Sequence, residues 1–168
     1  CPVIDKFLYS PISEIEIGDS VISIGNRAFC NLTNLTSIVI PDNVTEIGER
    51  AFGVCANLRI VTIANSVTKI GEGAFIYCSK LKVVIIGSSV TSIGKRAFHL
   101  CTRLVRVNIP NSVTSIGEGA FSTCSSLTSV TIPNSVTNID VLAFWGCRKL
   151  TNINIPEGVE RIGQMAFA

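Results

Sequence analysis

Apolar and polar residues follow one another in this chain in a pattern that repeats every 23 residues. An isoleucine, usually followed by glycine, opens each repeat, and an Ala-Phe pair follows it at a fixed distance. No insertion breaks the step, so the pattern predicts a solenoid in which each turn packs on its neighbours. The isoleucines are Ile24, Ile47, Ile70, Ile93, Ile116, Ile139 and Ile162. The phenylalanines are Phe29, Phe52, Phe75, Phe98, Phe121, Phe144 and Phe167.

Each repeat contains segments that predict particular elements of secondary structure. An L-x-x-V-x-I segment places apolar residues at its first, fourth and sixth positions, and its β-branched residues predict a short strand. Equivalent strands of successive repeats should stack in parallel as a concave sheet. A Val-Thr-x-Ile segment predicts a second short strand, and the Ala-Phe segment is expected to form a short helical turn on the convex side. The fold class is therefore an α/β repeat solenoid, mainly β.

The repeats also predict the organisation of the chain. Residues 1–11 form a flanking segment, and the solenoid is expected to cover residues 12–168. It comprises a partial unit, six full units over residues 24–161, and a last unit that stops at Ala168 before its cysteine and strand. Both ends resemble the edges of a fragment, so we expect more repeats or a cap beyond Ala168 in the natural protein. As an isolated fragment, the chain is expected to self-associate through this uncapped end.

The motif I-G-x-x-A-F-x-x-C-x-x-L-x-x-V-x-I-P-x-S-V-T resembles the BspA-type class of leucine-rich repeats over roughly residues 12–168. The resemblance implies a right-handed coil and a non-catalytic protein-binding domain. Members of this class are typically surface or secreted proteins implicated in adhesion to matrix proteins and host cells. The expected function is therefore adhesion or recognition of a host or extracellular-matrix protein at a cell surface. A cytoplasmic protein-interaction scaffold is the alternative, because thiols stay reduced there.

Five of the seven cysteines occupy the same position in the repeat. This position favours a ladder of small buried side chains, since free cysteine is among the most buried residue types. Metal sites prefer clustered spacings such as C-x-x-C, which are absent here, and in-register stacking does not point neighbouring Cβ atoms towards each other. Buried thiols of this kind should be unreactive. The ladder consists of Cys55, Cys78, Cys101, Cys124 and Cys147, whereas Cys1 and Cys30 lie outside it.

Outward-facing strand residues that depart from the repeat consensus form the candidate binding surface. The second, third and fifth positions of each L-x-x-V-x-I segment should face the concave side. The fifth and sixth full units carry Thr, Ser or Asn there, but three adjacent units carry apolar and basic residues. An apolar centre with a charged rim is typical of a protein-binding surface, although Val and Ile also simply favour strands. The candidate residues are Arg59, Ile60, Lys82, Val83, Ile85, Val105 and Arg106.

Composition narrows the function classes further. The formal net charge of +2 and the lack of aromatic residues on the candidate surface argue against a nucleic-acid partner. No apolar run approaches the ~18 residues of a membrane span, so we expect no membrane insertion. The repeat assembles no catalytic grouping, and the single histidine, His99, is interpreted as a variable surface position; we expect no enzyme activity, cofactor or metal. Asn31, Asn34 and Asn43 match the glycosylation pattern but are more simply ordinary repeat asparagines.

Overall fold

Two short strands in each turn of the chain build two parallel sheets on opposite sides of one core. The structure is a computed structural model that describes residues 10–168, so Cys1 and most of the expected flanking segment lie outside the described residues. The seven-stranded sheet contains, in spatial order, β1 (Ser23–Ile24), β3 (Glu46–Ile47), β5 (Lys69–Ile70), β7 (Ser92–Ile93), β9 (Ser115–Ile116), β11 (Asn138–Ile139) and β12 (Arg161–Ile162). The five-stranded sheet contains β2 (Ser37–Ile40), β4 (Ile60–Ile63), β6 (Val83–Ile85), β8 (Arg106–Asn108) and β10 (Ser129–Thr131).

The register of both sheets follows the repeat. Ile24 lies opposite Ile47 in the seven-stranded sheet, and Ile38 lies opposite Val61 in the five-stranded sheet, so paired residues are one repeat apart. The prediction of a parallel β-solenoid is thereby confirmed, with about six turns. We call the five-stranded sheet the concave sheet and the seven-stranded sheet the second sheet.

A column of stacked phenylalanines runs through the core from turn to turn. Successive ring centroids, from Phe29 to Phe167, lie 5.2–5.4 Å apart. Most of these rings are nearly parallel, and Phe52, Phe75 and Phe98 are completely buried. Burying each ring contributes ~1.5–3 kcal/mol, but only if the neighbouring turn covers it. This dependence on the neighbour explains why the step is held without insertion.

The Ala-Phe segments form consecutive turns, so the expectation of helical turns is wrong for the described residues. A helix needs each amide to bond the carbonyl four residues earlier. Here the Phe52 amide donates to the Ala74 carbonyl of the next turn at 2.8 Å, whereas the Ala51 amide donates to Gly48, three residues back. Left-handed backbone at Arg50 and Val54, with φ of 50° and 63°, aims their amides at the next turn as well. These bonds between turns replace the helical ones.

The concave sheet is shorter than the repeat count predicts. Residues 150–155 match the strand motif of the sixth unit but form no strand in the structure. Asn152 and Asn154 occupy outward positions there, and asparagine has a low strand propensity. In the part of the chain that the structure describes, this segment also has a neighbouring turn on one side only. The concave sheet consequently runs from β2 to β10, with the candidate residues in its middle.

Candidate protein-binding surface

The structure brings the seven candidate residues together on three adjacent turns. Ile60 lies opposite Val83, and Val83 lies opposite Arg106, which places these three side chains in one row across the sheet. A neighbouring row contains Arg59, Lys82 and Val105; the Lys82 amide donates to the Arg59 carbonyl at 2.9 Å. Parallel strands are ~4.8 Å apart, so side chains in a row are in contact range of one another. We call these six residues, together with Ile85, the concave patch.

Apolar side chains in the centre of the concave patch are open to solvent. Ile60, Val83, Ile85 and Val105 are 47%, 45%, 54% and 40% exposed. Their immediate neighbours along the chain, such as Val61 and Val84, are buried in the core. The alternation fixes the orientation of each exposed residue, because turning one of them inward would bring a core residue out.

Val39 belongs to the same surface but was not among the candidate residues predicted from the sequence. It is 64% exposed and lies opposite Thr62, which in turn lies opposite Ile85. The signal was present, since Val39 is the fifth position of the L-x-x-V-x-I segment at residues 35–40. Applying the positional rule to the first full unit finds it, and it extends the apolar surface by one turn.

Basic side chains surround this apolar centre without carboxylate partners. Arg59, Lys82 and Arg106 are exposed, and within residues 10–168 no ion pair reaches any of them. The acidic residues Glu14 and Glu16 are also exposed, towards the N-terminal end of the described chain. The concave patch is therefore an apolar centre flanked by basic side chains.

The five ladder cysteines lie inside the core, away from this surface. All five are buried free thiols, and each donates to the carbonyl of a phenylalanine 26 residues earlier at 3.2–3.3 Å. Burial raises the pKa of Cys55 to about 11 and that of Cys147 to about 12, and it raises the pKa of each of the other three well above its ordinary value. The neutral thiol is therefore the stable form, which suits packing and not chemistry. Cys30, outside the ladder, is disulfide-bonded.

His99 lies in the Ala-Phe turns and is half-buried. Its Nδ1 shares a hydrogen bond with the hydroxyl of Ser122, and its ring meets Tyr77 edge-on at 5.8 Å. Burial lowers the pKa of His99, which keeps the imidazole neutral. In residues 10–168, no group of three or more His, Cys, Asp or Glu side chains is arranged to hold a metal ion. The histidine therefore packs against neighbouring turns and adds nothing to the concave patch.

Comparison with known protein families agrees with the repeat pattern. The family model described as the BspA type leucine rich repeat region matches residues 5–110 and 91–168, with six copies. No curated protein matches the chain significantly. Residues 10–168 contain no helix that is long and apolar enough to cross a membrane.

Several solved structures are similar to this chain. A leucine rich cell surface protein from Faecalibacterium prausnitzii is 48% identical over 94% of the chain, with a TM-score of 0.81. The leucine rich repeat protein of T. pallidum is 36% identical over 82%, with a TM-score of 0.79. A leucine-rich repeat protein from Eubacterium ventriosum is 27% identical over 90%, with a TM-score of 0.82. The chain spans only 43%, 64% and 41% of these three proteins.

Proposed function

Since the chain belongs to the BspA-type leucine-rich repeat family, we propose that it binds a protein ligand through the concave patch. The observation that carries this proposal is the cluster of four exposed apolar side chains on adjacent turns of the concave sheet. Scattered exposed apolar residues are normal on protein surfaces, but a contiguous patch with a polar rim marks interaction sites. Outward positions in β10, by contrast, are Ser129 and Thr131.

The backbone of the concave patch is ordered in the absence of a partner. Each of β4, β6 and β8 is hydrogen-bonded to a strand on both sides, and the buried residues between the exposed ones anchor it to the core. A surface that is ordered in advance loses little conformational entropy on binding. This rigidity suits recognition of a specific partner and not a surface that adapts to many.

We place the protein at the cell surface, with a role in adhesion or in recognition of a host or matrix protein. Support comes from the F. prausnitzii protein, which is itself a leucine rich cell surface protein. The five free thiols are compatible with an oxidising environment, because their burial and raised pKa values protect them from oxidation. An intracellular scaffold would use the same surface with a different partner.

Two charged substitutions in one row of the concave patch test the proposal. Binding to immobilised matrix proteins and to host-cell surface extracts is measured for the original chain and for the Ile60→Asp, Val83→Asp variant. We expect at least a tenfold loss of affinity, because two carboxylates would then face the apolar surface of the partner.

The matched control carries Ser92→Asp and Ser115→Asp, which place two carboxylates in one row of the second sheet. This variant should bind as the original chain does, and both variants should keep their β-sheet circular dichroism. Unchanged affinity in the Ile60, Val83 variant would show that the partner binds elsewhere.

A further inference from the structure

Cations on different faces of the solenoid have different surroundings. On the second sheet, Lys69 pairs with Glu46 at 3.2 Å. In the Ala-Phe turns, Lys95 pairs with Glu118 at 2.7 Å, and Arg96 contacts the same carboxylate. In these places a basic residue stands next to an acidic residue of its own or a neighbouring turn, so each charge is compensated inside the molecule.

The cations of the concave side are not compensated in this way. Arg59 and Lys82 occupy adjacent turns of one row, and Arg106 continues the row of Ile60 and Val83. Lys80 and Arg103 occupy equivalent positions in the turns that lead into β6 and β8. Lys80 donates to the neutral Asn57 side chain at 2.6 Å, and within the described residues none of these cations forms an ion pair.

Acidic residues are nearly absent from the part of the sequence that carries these cations. Between residues 51 and 117 the single acidic residue is Glu72, which lies in an Ala-Phe turn and not on the concave sheet. Five cations on three adjacent turns therefore repel one another with no internal counter-charge. Such a field attracts an anionic ligand and repels a cationic one.

We propose that the concave patch takes an extended protein segment in which acidic side chains flank apolar ones. This inference rests on the proposed function and specifies its partner. The exposed Ile60, Val83 and Ile85 need apolar side chains opposite them, while arginine guanidinium groups bind carboxylates through two parallel hydrogen bonds. A sulfated polysaccharide would satisfy the cations but would leave the apolar centre without a complementary surface.

Three labelled synthetic peptides separate the charge requirement from the apolar requirement. The first alternates Glu with Leu or Val, the second has Lys in place of every Glu, and the third has Ser in place of every apolar residue. Fluorescence anisotropy should show at least tenfold tighter binding of the first peptide than of either other one. Raising the salt from about 0.15 M to about 1 M shortens the Debye length from ~8 Å to ~3 Å, so it should weaken this binding.

Charge reversal locates the binding on the chain. Lys82→Glu with Arg106→Glu should reduce the affinity for the first peptide at least tenfold. The matched control is Arg148→Glu with Arg161→Glu, two exposed residues outside the concave patch that form no ion pair among the described residues. The control should change the affinity less than twofold.

Each contrary result has a separate meaning. No binding of the first peptide, equal binding of its Lys counterpart, or tighter binding of heparin than of any peptide would overturn the inference. If Lys82→Glu with Arg106→Glu has no effect on a captured protein partner while Ile60→Asp with Val83→Asp abolishes its binding, the inference fails and the proposed function stands. If neither variant affects that partner, both fail.

Discussion

The concave sheet and the second sheet share one core but differ in what they present to solvent. Immediately before five strands of the second sheet, β3 to β11, the same exposed residue recurs, and its hydroxyl donates to the carbonyl of the preceding turn at 3.1–3.4 Å. This row contains Thr45, Thr68, Thr91, Thr114 and Thr137. In the concave sheet the corresponding row changes from turn to turn and contains Ser37, Ile60, Val83, Arg106 and Ser129.

Under the proposed function, this difference distinguishes residues that stack the turns from residues that contact a partner. A threonine that bonds the turn before it contributes to stacking in every unit, so it is repeated. An outward residue of the concave sheet contributes little to stacking, so its side chain can differ from turn to turn and complement a partner. The same logic distinguishes the buried column of phenylalanines, which does not vary, from the concave patch.

The largest expected effect comes from removing a ring from the buried column. Phe98→Ala should lower the free energy of unfolding by about 3–5 kcal/mol, because it leaves a cavity between two stacked rings. Ile85→Ala, at an exposed concave position, should lower it by about 1 kcal/mol or less. Urea unfolding followed by circular dichroism measures both. Similar losses in the two variants would break the distinction between core and surface positions.

A smaller effect, dependent on pH, should come from the thiol ladder. Burial raises the pKa of Cys55 from 9.0 to about 11, so at intermediate pH the folded chain holds a proton that the unfolded chain has lost. The stabilisation is complete below pH 9.0 and is lost as the pH rises through about 11. It corresponds to roughly 2–3 kcal/mol for this thiol.

Urea unfolding between pH 7 and pH 11 checks the thiol effect, with Cys55→Ala as the comparison. The two proteins differ at this one side chain, so a steeper loss of stability in the original chain isolates the contribution of Cys55. Parallel curves would mean that this thiol is not buried as the structure shows.

Much of the fold was predictable because the repeat encodes it locally. The 23-residue step, the period of two in each strand and the buried position of residues such as Phe98 follow from one repeat and its copies. The family and the parallel solenoid are confirmed on these grounds. The absence of a sixth strand from the concave sheet was not predictable in this way. The motif at residues 150–155 is complete, but two of its outward residues are asparagines.

The conformation of the Ala-Phe segments could not be predicted from the types of their individual residues. Left-handed backbone occurs at Val54, Tyr77 and Thr123, which are residue types that rarely adopt it. Asn31 and Gly146 at the same position were the available signal, since asparagine and glycine tolerate this conformation well. The turns persist at the other residues because their amides bond the next turn, an interaction between repeats that a local pattern does not reveal.

The position of the candidate surface was predictable from the sequence, but the predicted surface was one residue too small. Alternation alone places Ile60 and Val83 outward, and the same rule applied to the first full unit adds Val39. The absence of ion pairs around Arg59 and Lys82 depends on which carboxylates come near in three dimensions, so it required the structure.

Lysine footprinting tests most directly whether binding belongs to the concave sheet. The chain provides matched probes, with Lys82 in the concave patch, Lys80 beside it, and Lys69 and Lys95 on other faces. Acetylation with and without a captured protein partner, quantified by mass spectrometry, reports the protection of each lysine. We predict at least fivefold slower acetylation of Lys80 and Lys82 in the complex, with Lys69 and Lys95 unchanged. Protection of Lys69 and Lys95, with Lys80 and Lys82 still reactive, would contradict the account.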